Sequence, residues 1–300
     1  DTGRWQICRW WRPVADQRLQ DRRVRLLIAN RVAEDYKSLT ADVTEIKDLR
    51  VQFVVKKQST KEPNTAEVTI TNLSPTRRAA LQTKGVKFVL ECGYVDTGVK
   101  QIFQGDVRHV SHVREGADWR TVLKSGDGER AFQFARISET LGPKSTKSAV
   151  IKRLAAKLGL GLGNSTKAAI PGSFEQGIVL SGPVSRELDK VLKGTGYEWS
   201  IQDEQLVILS ESEVSGQDVP LLTPDSGLIG SPEFGAPIEK GGKPQLKFKA
   251  LLNANIKPGA KVQIQCERFP LGVSVKCAKV EHSGDTAGQD WYTSVEGATL

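Results

Sequence analysis

Apolar and polar positions alternate at period two through most of this chain, and two stretches in its middle switch to a helical period. Leu49-Arg-Val-Gln-Phe-Val-Val55 alternates and predicts a strand. Ala66-Glu-Val-Thr-Ile-Thr71 does the same, and Lys61-Glu-Pro-Asn64 supplies turn chemistry between them, so the two are expected to form a hairpin. Ser74-Pro75 marks a helix start, a capping hydroxyl followed by proline at the first helical position, and the short helix it opens should run through Leu81 and stop before Gly85. Val86–Tyr94, Gln101–Val113, Trp119–Lys124 and Phe132–Ile137 are expected as further strands, most of them divided by Gly or Asp-Gly turns.

The helical period appears in Ser145–Leu158, where Val150, Ile151, Leu154 and Leu158 share one face and Gly159 can end the helix. Leu160-Gly-Leu-Gly163 reads as a loop. Pro183–Lys193 repeats the helical pattern with Val184, Leu188, Val191 and Leu192, closed by Gly194. Tyr197–Gln202 and Gln205–Leu209 then predict a hairpin over Asp203-Glu204, so Gly177–Leu209 reads β-α-β-β. Residues 211–244 are rich in loops, with Pro at 220, 224, 232, 237 and 244, and strands return from Gln245.

The chain also repeats itself at long range. Gly85-Val-Lys-Phe-Val-Leu-Glu-Cys92 resembles Gly259-Ala-Lys-Val-Gln-Ile-Gln-Cys266, each a strand entered through Gly and ending at Cys. Val110-Ser-His112 matches Val280-Glu-His282, and Asp118-Trp-Arg-Thr121 matches Asp290-Trp-Tyr-Thr293. Asn72-Leu73 corresponds to Leu252-Asn253 upstream. The fold class expected is mainly β with an α/β insert: two similar antiparallel β-barrel domains flanking a small α/β domain. The boundaries follow as a first barrel over 25–140, the insert over 141–215, a loop-rich linker over 216–244 and a second barrel over 245–300. Cys92, His112, Asp118, Trp119, Cys266, His282, Asp290 and Trp291 form the repeated structural core, with Trp119 and Trp291 each expected to fill a barrel interior. Cys92 and Cys266 are expected as buried small hydrophobes, and Cys266 and Cys277 to face each other across the Phe269–Gly272 turn.

Length and charge refine this picture. Three hundred residues favour two domains or more, and 38% hydrophobic with 26% charged residues is globular composition, which excludes wholesale disorder. No run approaches the 18–20 uncharged apolar residues a membrane helix needs. Four Cys are no disulfide framework in a chain this long, so a reducing compartment is expected. The net charge is +8, but residues 1–30 hold seven Arg against three Asp, so half of the excess sits in the first tenth. Residues 1–24 read unlike the rest, with Trp5, Trp10 and Trp11 among arginines and no periodicity. With no Met in the chain, a biological start near Val24 is expected for this protein, residues 1–24 being an atypical, non-native segment.

Catalytic chemistry finds no foothold in the pattern. His109 and His112 lie three apart on a predicted strand, so they point to opposite faces and cannot share a metal. The cysteines lack C-x-x-C spacing, and the chain has no H-E-x-x-H, no G-x-S-x-G and no G-x-x-x-x-G-K-[ST]. Gly159-x-Gly161-x-Gly163 follows a helix where a nucleotide loop would join a strand to a helix. No enzyme, cofactor or metal is expected.

Several stretches resemble the baseplate or tail hub proteins of bacteriophages, related to the hubs of contractile injection devices such as R-type pyocins. They are Pro63-Asn-Thr-Ala-Glu-Val-Thr-Ile-Thr-Asn-Leu-Ser74, Phe103-Gln-Gly-Asp106, Ser125-Gly-Asp-Gly-Glu129 and Gly196-Tyr-Glu-Trp-Ser-Ile-Gln202. Gly227-Leu-Ile-Gly-Ser-Pro232, Pro258-Gly259 and His282-Ser-Gly-Asp285 leading to Asp290-Trp291 complete the set, and the resemblance spans roughly residues 39–298. It implies a virion protein of the tail baseplate, assembled in the bacterial host cytoplasm. It also implies a homotrimer whose six barrels form a pseudo-sixfold ring. That ring would meet the tail tube protein on one face and the spike protein on the other, contact the C-terminus of the tape-measure protein and other baseplate proteins, and pass DNA through its lumen. The hairpins Leu49–Ile70 and Gln245–Leu252 are expected at tube or subunit interfaces, with the insert outside the ring. Two other readings stand beside it: a small-barrel nucleic-acid-binding protein, suggested by a pI near 9.3, and a tail-associated cell-wall hydrolase, which would need a paired acid and base.

Overall fold

The structure, a computed structural model, describes residues 21–30, 43–82, 85–163, 170–210, 213–215, 219–235 and 244–300. Residues 1–20, and with them most of the segment expected to be atypical, lie outside the described residues, which begin at Asp21. There the chain is already structured: β1 (Arg22–Asn30) is a strand that the sequence pattern did not reveal, and Val24 sits in the core.

Next come β2 (Val43–Ile46), β3 (Val51–Gln58), β4 (Thr65–Thr71), α1 (Pro75–Leu81), β5 (Val86–Tyr94), β6 (Gly98–Glu115) and β7 (Asp118–Gly126). Helix α1 starts where Ser74 Oγ accepts the Arg77 N–H at 3.4 Å, with proline in its first turn. The middle of the chain holds α2 (Glu129–Phe134), β8 (Arg136–Leu141), β9 (Ser145–Thr146), α3 (Lys147–Leu158), β10 (Gly161–Leu162) and β11 (Ser173–Phe174). It continues with β12 (Ile178–Pro183), α4 (Val184–Leu192), β13 (Tyr197–Gln202) and β14 (Gln205–Ser210). The last part comprises β15 (Leu221–Leu222), β16 (Leu228–Gly235), β17 (Gln245–Leu251), β18 (Lys261–Cys266), β19 (Phe269–Asp285) and β20 (Trp291–Thr299). Phe132–Ile137 is therefore not one strand: a short helix ends at Phe134 and the extended chain starts at Arg136. The stretch 216–244 carries β15 and β16, which pair with β18 and β17.

The protein is mainly β, but no closed barrel forms among the described residues. Strands from both halves join one 13-stranded sheet, in the order β16-β17-β20-β19-β3-β4-β7-β6-β5-β1-β2, with β18 paired to β19 and β15. The reason lies in β3. It spends one edge on its hairpin partner β4 and the other on β19, so the two halves share a ladder.

Three cores lie under this arrangement. One collects β1 to β7 and takes in Leu252 and Trp291 from the other half. A second is built from β16 to β20 with Ile256. The third packs α3 and α4 against β8, β12, β13 and β14, with Leu154, Leu180 and Leu188 fully buried. Helix α3 ends where Gly159 turns to φ 68, a left-handed conformation that glycine adopts without strain.

Both halves use one strand plan. In the first, β3-β4-β7-β6-β5 run side by side, and in the second β16-β17-β20-β19-β18 do. Each long strand carries a bulge at the same place, between Val107 and His109 in β6 and between Cys277 and Lys279 in β19.

Candidate assembly interface

The register places the repeated residues in matching positions. His112 faces Thr121 across β6 and β7, with Nδ1 3.0 Å from the Thr121 hydroxyl. His282 faces Thr293 across β19 and β20, with Nδ1 2.9 Å from its hydroxyl. The Asn72 N–H donates to Trp119 O at 2.7 Å, and the Leu252 N–H donates to Trp291 O at 3.0 Å. Asp118 accepts the Asn72 amide at 2.8 Å, whereas Asp290 accepts the Asp285 N–H through its backbone carbonyl at 2.8 Å.

Burial separates the two copies. Trp291 is 1% exposed, its ring 5.6 Å from Phe53 and 6.3 Å from Tyr94, both residues of the first half. Trp119 is half-buried at the sheet margin, with the Arg78 guanidinium 4.1 Å above its ring. Cys92 and Cys277 are buried, which pushes both thiols up, Cys277 to about 12, while Cys266 is half-buried. Cys266 lies opposite Phe269 at the turn and Cys277 pairs with Ala260 at the other end of β18, so the two cysteines do not face each other. Among the described residues no group of three His, Cys, Asp or Glu is placed to hold a metal ion, and no helix is long and apolar enough to cross a membrane.

The seam between the halves is the β3–β19 ladder, from Gln52 opposite Asp285 to Gln58 opposite Lys279. At one end Arg50 grips Asp285 through two bonds of 3.1 and 2.7 Å, which hold the carboxyl down at about 2. Arg22 donates to the Gly288 and Gln289 carbonyls at 2.7 and 3.1 Å and lies 5.6 Å from the Trp291 ring, so β1 also ties the halves together. Inside the seam His282 is buried, and burial, helped by the Lys57 charge, lowers it to about 3.

At the other end the insert enters. The two-residue turn Asp203-Glu204 joins β13 to β14 with both residues at positive φ, 52 and 59°. That turn type favours Gly or Asn, so the side chains present there are kept at a conformational cost. Both turn N–H groups donate to the Asp127 carboxylate at 2.7 Å. Asn64 donates to Asp127 at 3.1 Å and to the Ile201 carbonyl at 2.9 Å. Asp203 takes the Lys57 ammonium at 2.6 Å and the Lys257 ammonium at 3.4 Å, and Glu204 pairs with Lys87 and accepts from Gln104 at 2.9 Å. Burial pushes Asp127 up to about 6; burial also pushes Asp203 up, but the two lysines outweigh it and hold that carboxyl below its ordinary value. This tip therefore bonds to the first half through Lys57, Asn64, Lys87 and Asp127 and to the second through Lys257.

Four of the family-like stretches thus meet here, contributing Asn64, Gln104, Asp127 and Gln202. Lys57 and the roles of Asp203 and Glu204 escaped the sequence reading. The signal was present in the alternation itself, since Val51, Phe53, Val55 and Lys57 share the core face of β3. A lysine at a core position of a period-two run needs a buried partner.

The opposite face of the sheet is polar and grooved. A groove of about 630 Å³ crosses β16, β17, β20, β19 and β3, and a second of about 540 Å³ adjoins it over β4, β6 and β7. Charges on it come in cross-strand pairs, Glu296 between Lys247 at 2.6 Å and Lys279 at 3.7 Å, Lys56 with Glu281 at 3.7 Å, and Lys124 with Glu67 at 3.5 Å.

The chain and its fold have counterparts among known proteins. A family model described as Baseplate hub gp41 matches residues 31–271. The chain belongs to this baseplate hub family. Solved structures with a similar fold include a 43 kDa tail protein of prophage MuSo2 from Shewanella oneidensis, at 10% identity and a TM-score of 0.64 over 93% of this chain and 97% of that one. A tail protein from Neisseria meningitidis MC58 is similar at 9% identity and a TM-score of 0.64, over 93% and 97% of the two chains. An Escherichia coli type VI secretion system component, itself described as structurally similar to T4 bacteriophage tail proteins, is similar at 11% identity and a TM-score of 0.58, over 84% of this chain and 74% of that one. No curated protein matches the chain.

Proposed function

We propose that this baseplate hub protein is the adaptor at the centre of a phage tail, a homotrimer whose six sheet units form a pseudo-sixfold ring between the tail tube and the spike. The observation that carries the reading is the internal duplication: one strand plan, one bulge position and one His–Thr pair occur twice per chain. Three chains then present six equivalent units, and a threefold spike can be joined to a sixfold tube without either changing symmetry. The two barrel-like units belong to this proposal as open half-units that complete one another across chains. The tape-measure C-terminus and other baseplate proteins are the remaining partners, the virion is the site of action, and assembly takes place in the host cytoplasm.

The grooved polar face suits the lumen of such a ring. Lys56, Lys124, Lys247 and Lys279 on it are each answered by a carboxylate at cross-strand distance, so DNA in transit meets a largely compensated surface and releases few counterions. Passage without capture is what that balance supports, and the role is structural, not enzymatic.

Light scattering on the full chain, alone and mixed with its spike, tests the reading. A particle of about 98 kDa, three times 32.8 kDa, or the corresponding complex with the spike is expected. A chain that stays monomeric and binds neither spike nor tube protein overturns it.

A further inference from the structure

The contact between the halves of one chain specifies the contact between chains. In the internal seam, β3 of the first half lies antiparallel to the 279–285 segment of β19 in the second. Ladder pairings carry each of these strands onto its counterpart. His282 opposite Thr293 corresponds to His112 opposite Thr121, so β19 residues 279–285 map onto β6 residues 109–115. Val54 pairs with Glu67 and Glu67 with Lys124, as Glu233 pairs with Lys247 and Lys247 with Glu296, so Val54 maps onto Glu233 and Val55 onto Phe234.

Both counterparts have an edge to offer. Strand β6 pairs with β5 only as far as Asp106 and with β7 as far as Glu115, so residues 109–115 carry one ladder among the described residues. Strand β16 pairs with β17 alone and ends the sheet. Open edges of this kind are templates for another strand.

Exposure says the same at three positions. Val55, His282 and Trp291 are 0%, 1% and 1% exposed at the internal seam. Their counterparts are open: Phe234 is 50% exposed, and His112 and Trp119 are half-buried. Phe234 lies on β16, the strand that ends the sheet, while His112 and Trp119 lie on β6 and β7 beyond the β3–β19 seam. The Phe234 ring also has Phe269 5.8 Å away, and Leu271, two residues further along β19, is 96% exposed. Arg268, which corresponds to the Tyr94 that packs on Trp291, lies 5.1 Å from the Phe234 ring.

We infer that β16 of one chain adds to the 109–115 edge of β6 in a second copy, repeating the internal seam between subunits. Gly235 then lies opposite Ser111 of the partner subunit, Phe234 opposite His112 of the partner subunit, and Glu233 opposite Val113 of the partner subunit. Phe234 is covered as Val55 is, and Trp119 of the partner subunit gains the neighbours that Trp291 already has. A contact between unlike surfaces is head-to-tail, so it closes into a ring when each of the six junctions, three internal and three between chains, turns the next unit by one sixth of a circle. This rests on the hub reading above and names the surface that reading leaves open.

Cysteine pairing in the full chain tests the register. Val113 is 54% exposed and Glu233 is exposed, so Val113→Cys with Glu233→Cys leaves the core untouched. Directly opposed residues have Cβ atoms about 4.5–5.5 Å apart, close enough to oxidise, while the diagonal pair Glu115→Cys with Glu233→Cys is about 7–8 Å apart and too distant. Oxidation of the first pair, alone or with the spike bound, is expected to give a covalent ladder ending at three chains, with none from the diagonal pair or either single variant. Phe234→Asp is expected to abolish the trimer while lowering the monomer's unfolding midpoint only slightly, since the ring is 50% exposed in the single chain. A trimer by light scattering that fails to cross-link, cross-links equally through the diagonal pair, or survives Phe234→Asp overturns this seam and leaves the hub reading standing. A chain that is monomeric in both settings overturns both.

Discussion

Lys57 reaches Asp203 at 2.6 Å inside the molecule, where the lysine side chain is 1% exposed. A buried pair of this kind is costly to break from one side, because the remaining charge has no water to turn to. Lys57→Met is expected to destabilise the fold by about 3–5 kcal/mol. Lys57→Met with Asp203→Leu should recover a large part of that loss, since an apolar pair replaces both charges at once. Urea denaturation of the three proteins measures it, and a single variant as stable as the parent would show that the pair does not hold the insert.

Burial of a neutral imidazole makes His282 a source of acid sensitivity. Its folded-state value of about 3 lies below the ordinary 6.5, so the unfolded chain takes up a proton first as pH falls. The stability tied to neutral His282 is complete above pH 6.5 and is lost progressively from there toward pH 3. His282→Gln should flatten this limb relative to the parent, measured as unfolding midpoint against pH from 7.5 to 4.

The Arg50–Asp285 pair acts in a lower window. Asp285 is held at about 2 by Arg50, so its contribution is complete above the ordinary carboxylate value near 3.9 and is lost as pH falls through 2. Arg50→Met removes this term at neutral pH, and its stability should then change less than the parent's between pH 4 and 2. Equal acid slopes in the two proteins would count against the pair.

The two tryptophans should respond unequally to the same substitution. Trp291→Ala opens a cavity beside Phe53 and Tyr94 and is expected to cost about 3–5 kcal/mol in the single chain. Trp119 has water on one side, so Trp119→Ala should cost about 1–2 kcal/mol there and show its main effect on trimer formation. Parallel denaturation and sedimentation runs separate the two outcomes.

Gly284 sits where the seam is tightest. A Cβ at this position would lie against the Phe53 ring and 2.8 Å from Cε3 of Trp291. Gly284→Ala is therefore expected to destabilise by about 1–3 kcal/mol through overpacking, read from the unfolding midpoint.

Much of this layout is legible in the alternation of residues, and its gaps have identifiable causes. The runs at 49–55, 66–71 and 86–94 become β3, β4 and β5 because one face of each is buried and the other is wet. Helices α3 and α4 follow their apolar stripes for the same reason. Strand β1 is hidden because Arg22, Arg23 and Arg25 extend the arginine-rich composition that precedes it. Strand β16 is hidden because Gly230 and Pro232 interrupt its pattern and a bulge absorbs them. Helix α2 has too few residues to show a period. The repeat in the letters suggests closed units, but closure is a matter of which edge meets which, and alternation carries no information about the partner of an edge. The charged tip at 203–204 is visible as a turn, whereas its three lysines come from 57, 87 and 257, and only the folded chain brings them together.

One buried contact serves both halves of this fold. The loop lodged among Lys57, Asp127 and Lys257 belongs to neither copy, yet each leaves charged groups stranded if it is cut away. The turn therefore works as a rivet, and the helices beyond it can change length without disturbing the bonds that it makes.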